Sequence, residues 1–194
     1  MIDSIITEEN SKIYLKKLNI SEIDDRIIKW FEDETLMKYY TSSKNKITKQ
    51  SLIKSILKGE EDKTSYTYGV YYHENNLCIG TVKLGPINHV HRISDLAVLL
   101  GDTDYHGKGL GVESVRLGNK LAFEVYDIRK LVSGMYENNI SSIKAYVKAG
   151  WIIEGSLRGH YLENGKPQDR ILVGCFNPRY FEWKSLLLLL LRLL

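Results

Sequence analysis

The segment Leu99-Leu-Gly-Asp-Thr-Asp-Tyr-His-Gly-Lys-Gly-Leu-Gly-Val-Glu113 constrains this chain more than any other. It places a strand-like apolar run, a glycine turn and the start of a helix directly one after another. Glycines at 107, 109 and 111 let backbone N–H groups converge on one point without Cβ obstruction, and the following helix, expected from about Val112 to Tyr126, adds the positive end of its dipole. Such a turn suits an anion, and Lys108 adds a mobile cation. A dinucleotide fingerprint would need glycine at 112, where Val112 stands, and a parallel sheet. A nucleoside-triphosphate loop would need Ser or Thr after Lys108, where Gly109 stands. A ligand-free turn and a different pyrophosphate loop remain.

The rest of the chain supplies the frame. Lys12–Leu18 reads as an opening strand. Ser21 offers an N-cap, with Asp24 three residues on, to a helix striped by Ile23, Ile27, Ile28, Trp30 and Phe31. Thr48–Leu57 reads as a second helix stopping at Gly59, and the polar stretch Tyr39–Lys46 as a loop between them. From Ser65 the period changes to two. Runs 65–72, 77–84 and 93–100, separated by a four-residue turn and the loop Gly85–Arg92, predict three consecutive antiparallel strands. After the glycine turn and its helix come a short strand, Leu131–Met135, and a helix, Ser141–Ala149, ended by Gly150. The runs Trp151–Tyr161 and Gln168–Phe176 flank Asn164-Gly165, a hairpin signal because both residues tolerate positive φ.

Composition excludes several classes. The 194 residues suit one domain, with 43% apolar residues, enough for a substantial core. A net charge of +3 is too small for a nucleic-acid footprint. Cys78 and Cys175 are too few for a disulfide framework or a zinc site and are expected buried and reduced, so no metal is called for. The start of the chain lacks a signal-peptide pattern, and no run approaches the roughly 20 apolar residues of a membrane span. A soluble cytoplasmic domain is expected.

A second motif follows the first by about 30 residues. Asn139, Tyr146, Gly150 and Trp151 stand at relative positions 0, 7, 11 and 12 of one segment. Together with strand–His106-Gly-Lys-Gly-Leu-Gly111–helix, this pattern resembles the GNAT superfamily of N-acetyltransferases. His106 stands where that family usually has Gln or Arg, and Trp151 where it has Phe; neither change removes a backbone contact. The resemblance runs from Lys12 to about Phe176. Trp30, the Gly101-Asp-x-x-Tyr-x-Gly-Lys-Gly run, Glu154-Gly155-x-x-Arg158 and Asp169-Arg170 are similar to the branch holding ribosomal-protein N-terminal and aminosugar acetyltransferases.

The resemblance implies an α/β fold (α+β): a mixed, mostly antiparallel central sheet with helices on both faces, split by a V-shaped cleft for acetyl-CoA as co-substrate. Residues 1–180 would form that domain. The strand ending Leu99-Leu100-Gly101 would splay from Leu131–Met135, with a backbone N–H near Leu99 as oxyanion donor. His106, Gly107, Lys108, Gly109, Leu110, Gly111 and Val112 would hold the pyrophosphate. Asn139 and Ser142 would hydrogen-bond the cofactor, though either also suits a helix cap. Tyr146 would be the general acid, against the bland reading of a tyrosine packed on a helix face. For the general base, Asp95 sits mid-strand, where a charge is costly unless it faces a cleft or partner. His89 and His91 have the better ordinary pKa and could face the acceptor, but loop histidines are commonly just solvated. The amine would attack directly. Its carrier is expected to be a small molecule such as a nucleotide-linked aminosugar, with a protein N-terminus second and a non-catalytic acyl-CoA sensor third.

One feature stays outside this frame. Eight of the 25 leucines fall within the last nine residues. As a helix those nine would span only about 14 Å, less than half a bilayer core, with no polar face. Residues 181–194 are read as burial in a homodimer interface, as a stretch foreign to the native chain, or as a membrane contact.

Overall fold

In a computed structural model, which describes residues 5–40 and 47–181, a seven-stranded sheet runs through the molecule. The leucine-rich tail, most of the expected loop after Tyr40, and the first four residues lie outside the described residues. In chain order the elements are β1 (Ile13–Lys17), α1 (Asp25–Glu32), α2 (Glu34–Met37), α3 (Lys49–Glu61), β2 (Tyr66–Tyr72), β3 (Leu77–Asn88) and β4 (Ile93–Leu100). Then come α4 (Leu110–Lys120), β5 (Lys130–Tyr136), α5 (Ile140–Lys148), β6 (Ile152–Glu163) and β7 (Lys166–Phe176). The sheet order is β1-β2-β3-β4-β5-β7-β6, and every neighbouring pair is antiparallel except β4 with β5. This is the mixed, mostly antiparallel sheet expected.

Helices cover both faces because the strands alternate. Ile13 and Leu15 of β1, with Tyr68 and Val70 of β2, point into a core shared with Leu110, Val115 and Leu117 of α4. On the other face, Tyr71 and Cys78 meet Ile23, Ile27, Trp30 and Ile56 from the α1 and α3 side. Each fully buried Leu or Ile contributes about 1.5–3 kcal/mol through water exclusion, so both faces are anchored. Trp30 does more than fill volume. Its ring lies against Gly101, where a Cβ would come within 2.0 Å, and this ties α1 to the end of β4.

Several local expectations shift. Ser21 does not cap α1: Asn19 caps a separate 3₁₀ turn at Ile20–Glu22, and Asp24 caps α1 by accepting from the Ile27 N–H. The helix begun by Thr48 runs through Gly59 to Glu61, because Gly59 is buried where the chain returns and a Cβ would strike Ser65. Much of the expected loop after Leu84 is strand, since β3 bulges and continues pairing to Asn88. The helix after the glycine turn starts at Leu110 and loosens into a π turn at Leu121–Val125. The short α2 had no clear apolar signal.

Candidate active site

The one parallel contact in the sheet is also its shortest. β4 and β5 pair only from Ile93–Lys130 to Asp95–Val132, and from there they part. β4 stays with β3, while β5 follows β7 as far as the Tyr136–Arg170 pair. Two arms held by different neighbours open a V, and a cleft of about 630 Å³ lies in it.

Strand parity decides what β4 shows to that cleft. The Gly101 N–H donates to the Ile79 carbonyl on β3 at 3.0 Å, so the peptide groups of Leu99 and Ala97 also face β3. Those of Leu96, Val98 and Leu100 face the gap. The Leu96 carbonyl accepts the Tyr146 hydroxyl at 2.9 Å, and His106 Nε2 lies 2.8 Å from the Leu100 carbonyl, which requires the proton on that nitrogen. The Val98 N–H lies between them, close to the Tyr146 hydroxyl. Near Leu99, then, the amide aimed into the cleft belongs to its neighbour.

Tyr146 is placed by both ends of α5. Asn139 caps the helix, its side chain accepting from the Ser142 N–H at 3.3 Å, and Tyr146 follows about two turns later on the same side. At the other end Gly150, with φ of 93°, donates to Val147 while the Trp151 N–H reaches back to the Tyr146 carbonyl. This closure drops the Trp151 ring edge-on against Tyr146 at 4.8 Å, with its indole N–H on Asn119 at 2.9 Å. The phenol is buried, which raises its pKa above the ordinary tyrosine range against the opposing effects of the Val98 backbone and Ser133. It therefore holds its proton throughout the neutral range. Ser142 lines the cleft while its amide serves the cap.

Asp95 stands at the fork itself, on the last paired residue of β4. Desolvation raises its carboxyl above the usual range, opposed by the positive fields of Arg170 and Lys83, which line the same cleft. A wall of rings, Tyr39 on Tyr136 at 5.4 Å and Tyr136 stacked on Tyr161 at 4.2 Å, stands on the β5 side. Arg170, Lys83, Tyr136 and Tyr161 were not picked out as site residues, although a charged residue inside each apolar strand run was a readable signal.

At the mouth, Gly107 and Gly109 have φ of 73° and 81°, and a Cβ on either would meet nothing within 4 Å. Gly109 opens α4 without a side-chain cap, so the first-turn amides of Leu110 and Gly111 have no partner within the helix. Lys108 sits 5.0 Å over the Tyr105 ring. With Lys12, Arg116 and the carboxylates of Glu8, Glu9 and Glu113 it borders a hollow beside Gly109 and Val112. Leu99, Leu100 and Gly101 lie at the far end of β4, with the Gly101 backbone on the β3 side.

His89 and His91 are not brought here. Both sit in the β3–β4 turn, from which β4 runs toward the cleft, so the strand separates them from it. His89 Nε2 is 2.7 Å from the Lys63 carbonyl, and the His91 backbone bonds Asn88 and Arg129. Neither is among the residues that line the cleft. Another cavity, about 490 Å³ between β1 and α3, carries charges already paired: Lys16 with Glu22 at 2.7 Å and Lys17 with Glu60 at 2.9 Å. Its charged groups are turned to each other rather than to a ligand.

Residues 12–152 match the family model of the acetyltransferase (GNAT) domain, a span holding the fork, the glycine loop and α5. The chain belongs to the GNAT acetyltransferase family. Among relatives of this GNAT chain, the spermidine N(1)-acetyltransferase of Escherichia coli K12 is 32% identical over 101 residues, covering 52% of this chain and 54% of that protein. The chain thus matches about half the length of that relative. A probable N-acetyltransferase of Bacillus subtilis, YjcK, is 25% identical over 177 residues, covering 86% and 94%. Two solved GNAT structures share the fold. A Vibrio cholerae spermidine N-acetyltransferase in complex with CoA and spermine superposes with a TM-score of 0.79 at 20% identity, covering 89% of this chain and all of that one. A Vibrio fischeri ribosomal-protein-S5-alanine acetyltransferase gives 0.75 at 18% identity, covering 93% and all of that chain.

Proposed function

We propose that this chain is an acetyl-CoA-dependent N-acetyltransferase whose acceptor amine attacks directly. The observation that carries the reading is the fork after Asp95 and Val132, with an acid and a base at its floor. The residues present fit the cofactor: the Gly107 and Gly109 cradle is open where a Cβ would stand, and the amides opening α4 are uncommitted. Acetyl-CoA supplies the acetyl group as an activated thioester. Backbone amides of 107–111, with Lys108, Lys12 and Arg116 nearby, hold the phosphates. The unpaired edge of β4 would seat the pantetheine arm, and the Val98 N–H would stabilise charge on the carbonyl oxygen. Tyr146 gives its proton to the departing sulfur, and Asp95 takes the amine proton, directly or through one water. Asn139 and Ser142 set the α5 wall.

The acceptor is a small primary amine, with a nucleotide-linked aminosugar as the preferred class. The Tyr39 and Tyr161 rings that line the cleft support this, because aromatic side chains suit contact with a ring. A polyamine or a protein N-terminus is the second reading, supported by what the E. coli and V. fischeri proteins are named for. Thiol release measured over an aminosugar nucleotide, spermidine and an N-terminal peptide tests the proposal. Turnover of the aminosugar nucleotide is expected. A silent panel alongside tight acetyl-CoA binding would overturn catalysis in favour of a sensor.

A further inference from the structure

We infer that Arg170 is a docking site for an anionic group of the acceptor, so that the accepted amine carries a phosphate or carboxylate and is not a bare polyamine. The inference rests on the acetyltransferase reading and names its substrate class. Arg170 lies on β7 opposite Tyr136 of β5, and its side chain crosses β5 at Gly134. A Cβ at Gly134 would stand 2.0 Å from Arg170 Nε, so the absence of a side chain there opens the path into the cleft. Tyr161 holds the guanidinium from another side, with its ring 5.8 Å away.

These walls position the guanidinium without engaging it. Arg170 Nε is buried with no hydrogen-bond partner, and among the described residues the side chain makes neither a hydrogen bond nor an ion pair within 4 Å. Two other basic side chains in partly buried settings have closed pairs, Lys17 with Glu60 and Lys130 with Glu154. Asp95 feels the field of Arg170 but is not bonded to it, so it is not the missing partner. Lys83 adds a second cation from the β3 side, so Arg170 and Lys83 share the cleft lining with the carboxylates of Asp33 and Asp95. A buried N–H donor without an acceptor is costly. A guanidinium fork matches the two oxygens of a carboxylate or phosphate, and a ligand bearing one would satisfy it. A bare polycation offers no oxygen to that fork.

The test uses the full chain and three sugars with the same amine: glucosamine, glucosamine 6-phosphate and muramic acid, the last bearing a carboxylate. Spermidine is a fourth arm, and Arg170→Met and Arg170→Lys are the variants. Binding is measured by calorimetry with CoA saturating, which occupies the glycine loop, and turnover by thiol release. The wild-type chain is expected to bind at least one anionic sugar about 10- to 100-fold more tightly than glucosamine. Arg170→Met should erase that preference through KM while the Kd for CoA stays unchanged, and Arg170→Lys should restore part of it. Equal losses on glucosamine and the anionic sugars, a shift in CoA affinity instead, or spermidine as the tightest-binding amine would overturn the inference. If no amine is turned over, the acetyltransferase reading fails, while the binding arms still decide the role of Arg170.

Discussion

Replacing Tyr146 by Phe removes one oxygen and leaves the ring against Trp151. Two consequences follow, and they are separable. The Leu96 carbonyl, which accepts from that hydroxyl at 2.9 Å, loses its donor in a buried setting. Leaving such an acceptor unpaired costs about 1–3 kcal/mol. At about 2–4 °C per kcal/mol for a domain of this size, the melting temperature should fall by about 2–12 °C. The chemical effect is larger. Loss of a positioned general acid lowers kcat about 10²- to 10⁴-fold, equivalent to about 2.7–5.5 kcal/mol of transition-state stabilisation. If the hydroxyl serves the leaving sulfur, as proposed, and not ground-state binding, KM for both substrates and the CoA Kd should stay within about threefold. Thiol release, a thermal melt and CoA calorimetry on the same preparation read all three. A variant with kcat within threefold of wild type, melting as forecast, would refute the acid role and reduce Tyr146 to a prop for β4. A variant that loses CoA binding in step with kcat would place the hydroxyl in cofactor recognition instead.

Asp95→Asn should lower kcat/KM about 10²- to 10⁴-fold and abolish an acid limb that, in the wild-type pH profile, lies above the ordinary carboxylate range. The stability sign runs opposite to a structural carboxylate. A folded-state pKa raised by desolvation means the native chain gains stability as pH falls through the window between the unfolded and folded values, so ionised Asp95 opposes folding at neutral pH. Asp95→Asn should therefore melt at or above the wild-type temperature at pH 7, and a clear drop would contradict the assignment. Gly109→Ala puts a Cβ into open space at φ of 81°, so its stability cost is backbone strain alone, about 1 kcal/mol, whereas CoA affinity should fall at least tenfold by calorimetry. Gly101→Ala, with a Cβ 2.0 Å from the Trp30 ring, should cost about 1–3 kcal/mol by chemical denaturation.

What could be read from residues alone is what short-range sterics and periodicity decide. The run Ile93–Leu100 alternates and is a strand over those residues. Asn164 and Gly165 tolerate positive φ and adopt 51° and 75° in the hairpin turn. Gly150 ends α5 because it accepts a conformation that side chains rarely adopt. Errors of the same range came from competing local signals: Asn19, Ser21 and Asp24 all suit a cap, and only the packing of Ile23 and Ile27 selects among them. The site belongs to a longer range. Pairing of β4 with β5 for only three residues depends on β3 and β7 pulling the two strands apart, and no stretch of sequence carries that competition. The same divergence turns Val98 toward the gap, gives the Leu96 carbonyl to Tyr146, and leaves His89 and His91 outside the cleft. It also brings Arg170 across Gly134 from a strand far along the chain. Sequence by itself determined the strands, the glycine loop and the caps, because those follow from φ preferences and from the spacing of apolar residues. Tertiary structure decided the cleft, because an unpaired strand edge and a buried Arg170 Nε without a hydrogen-bond partner exist only once distant strands have settled their register.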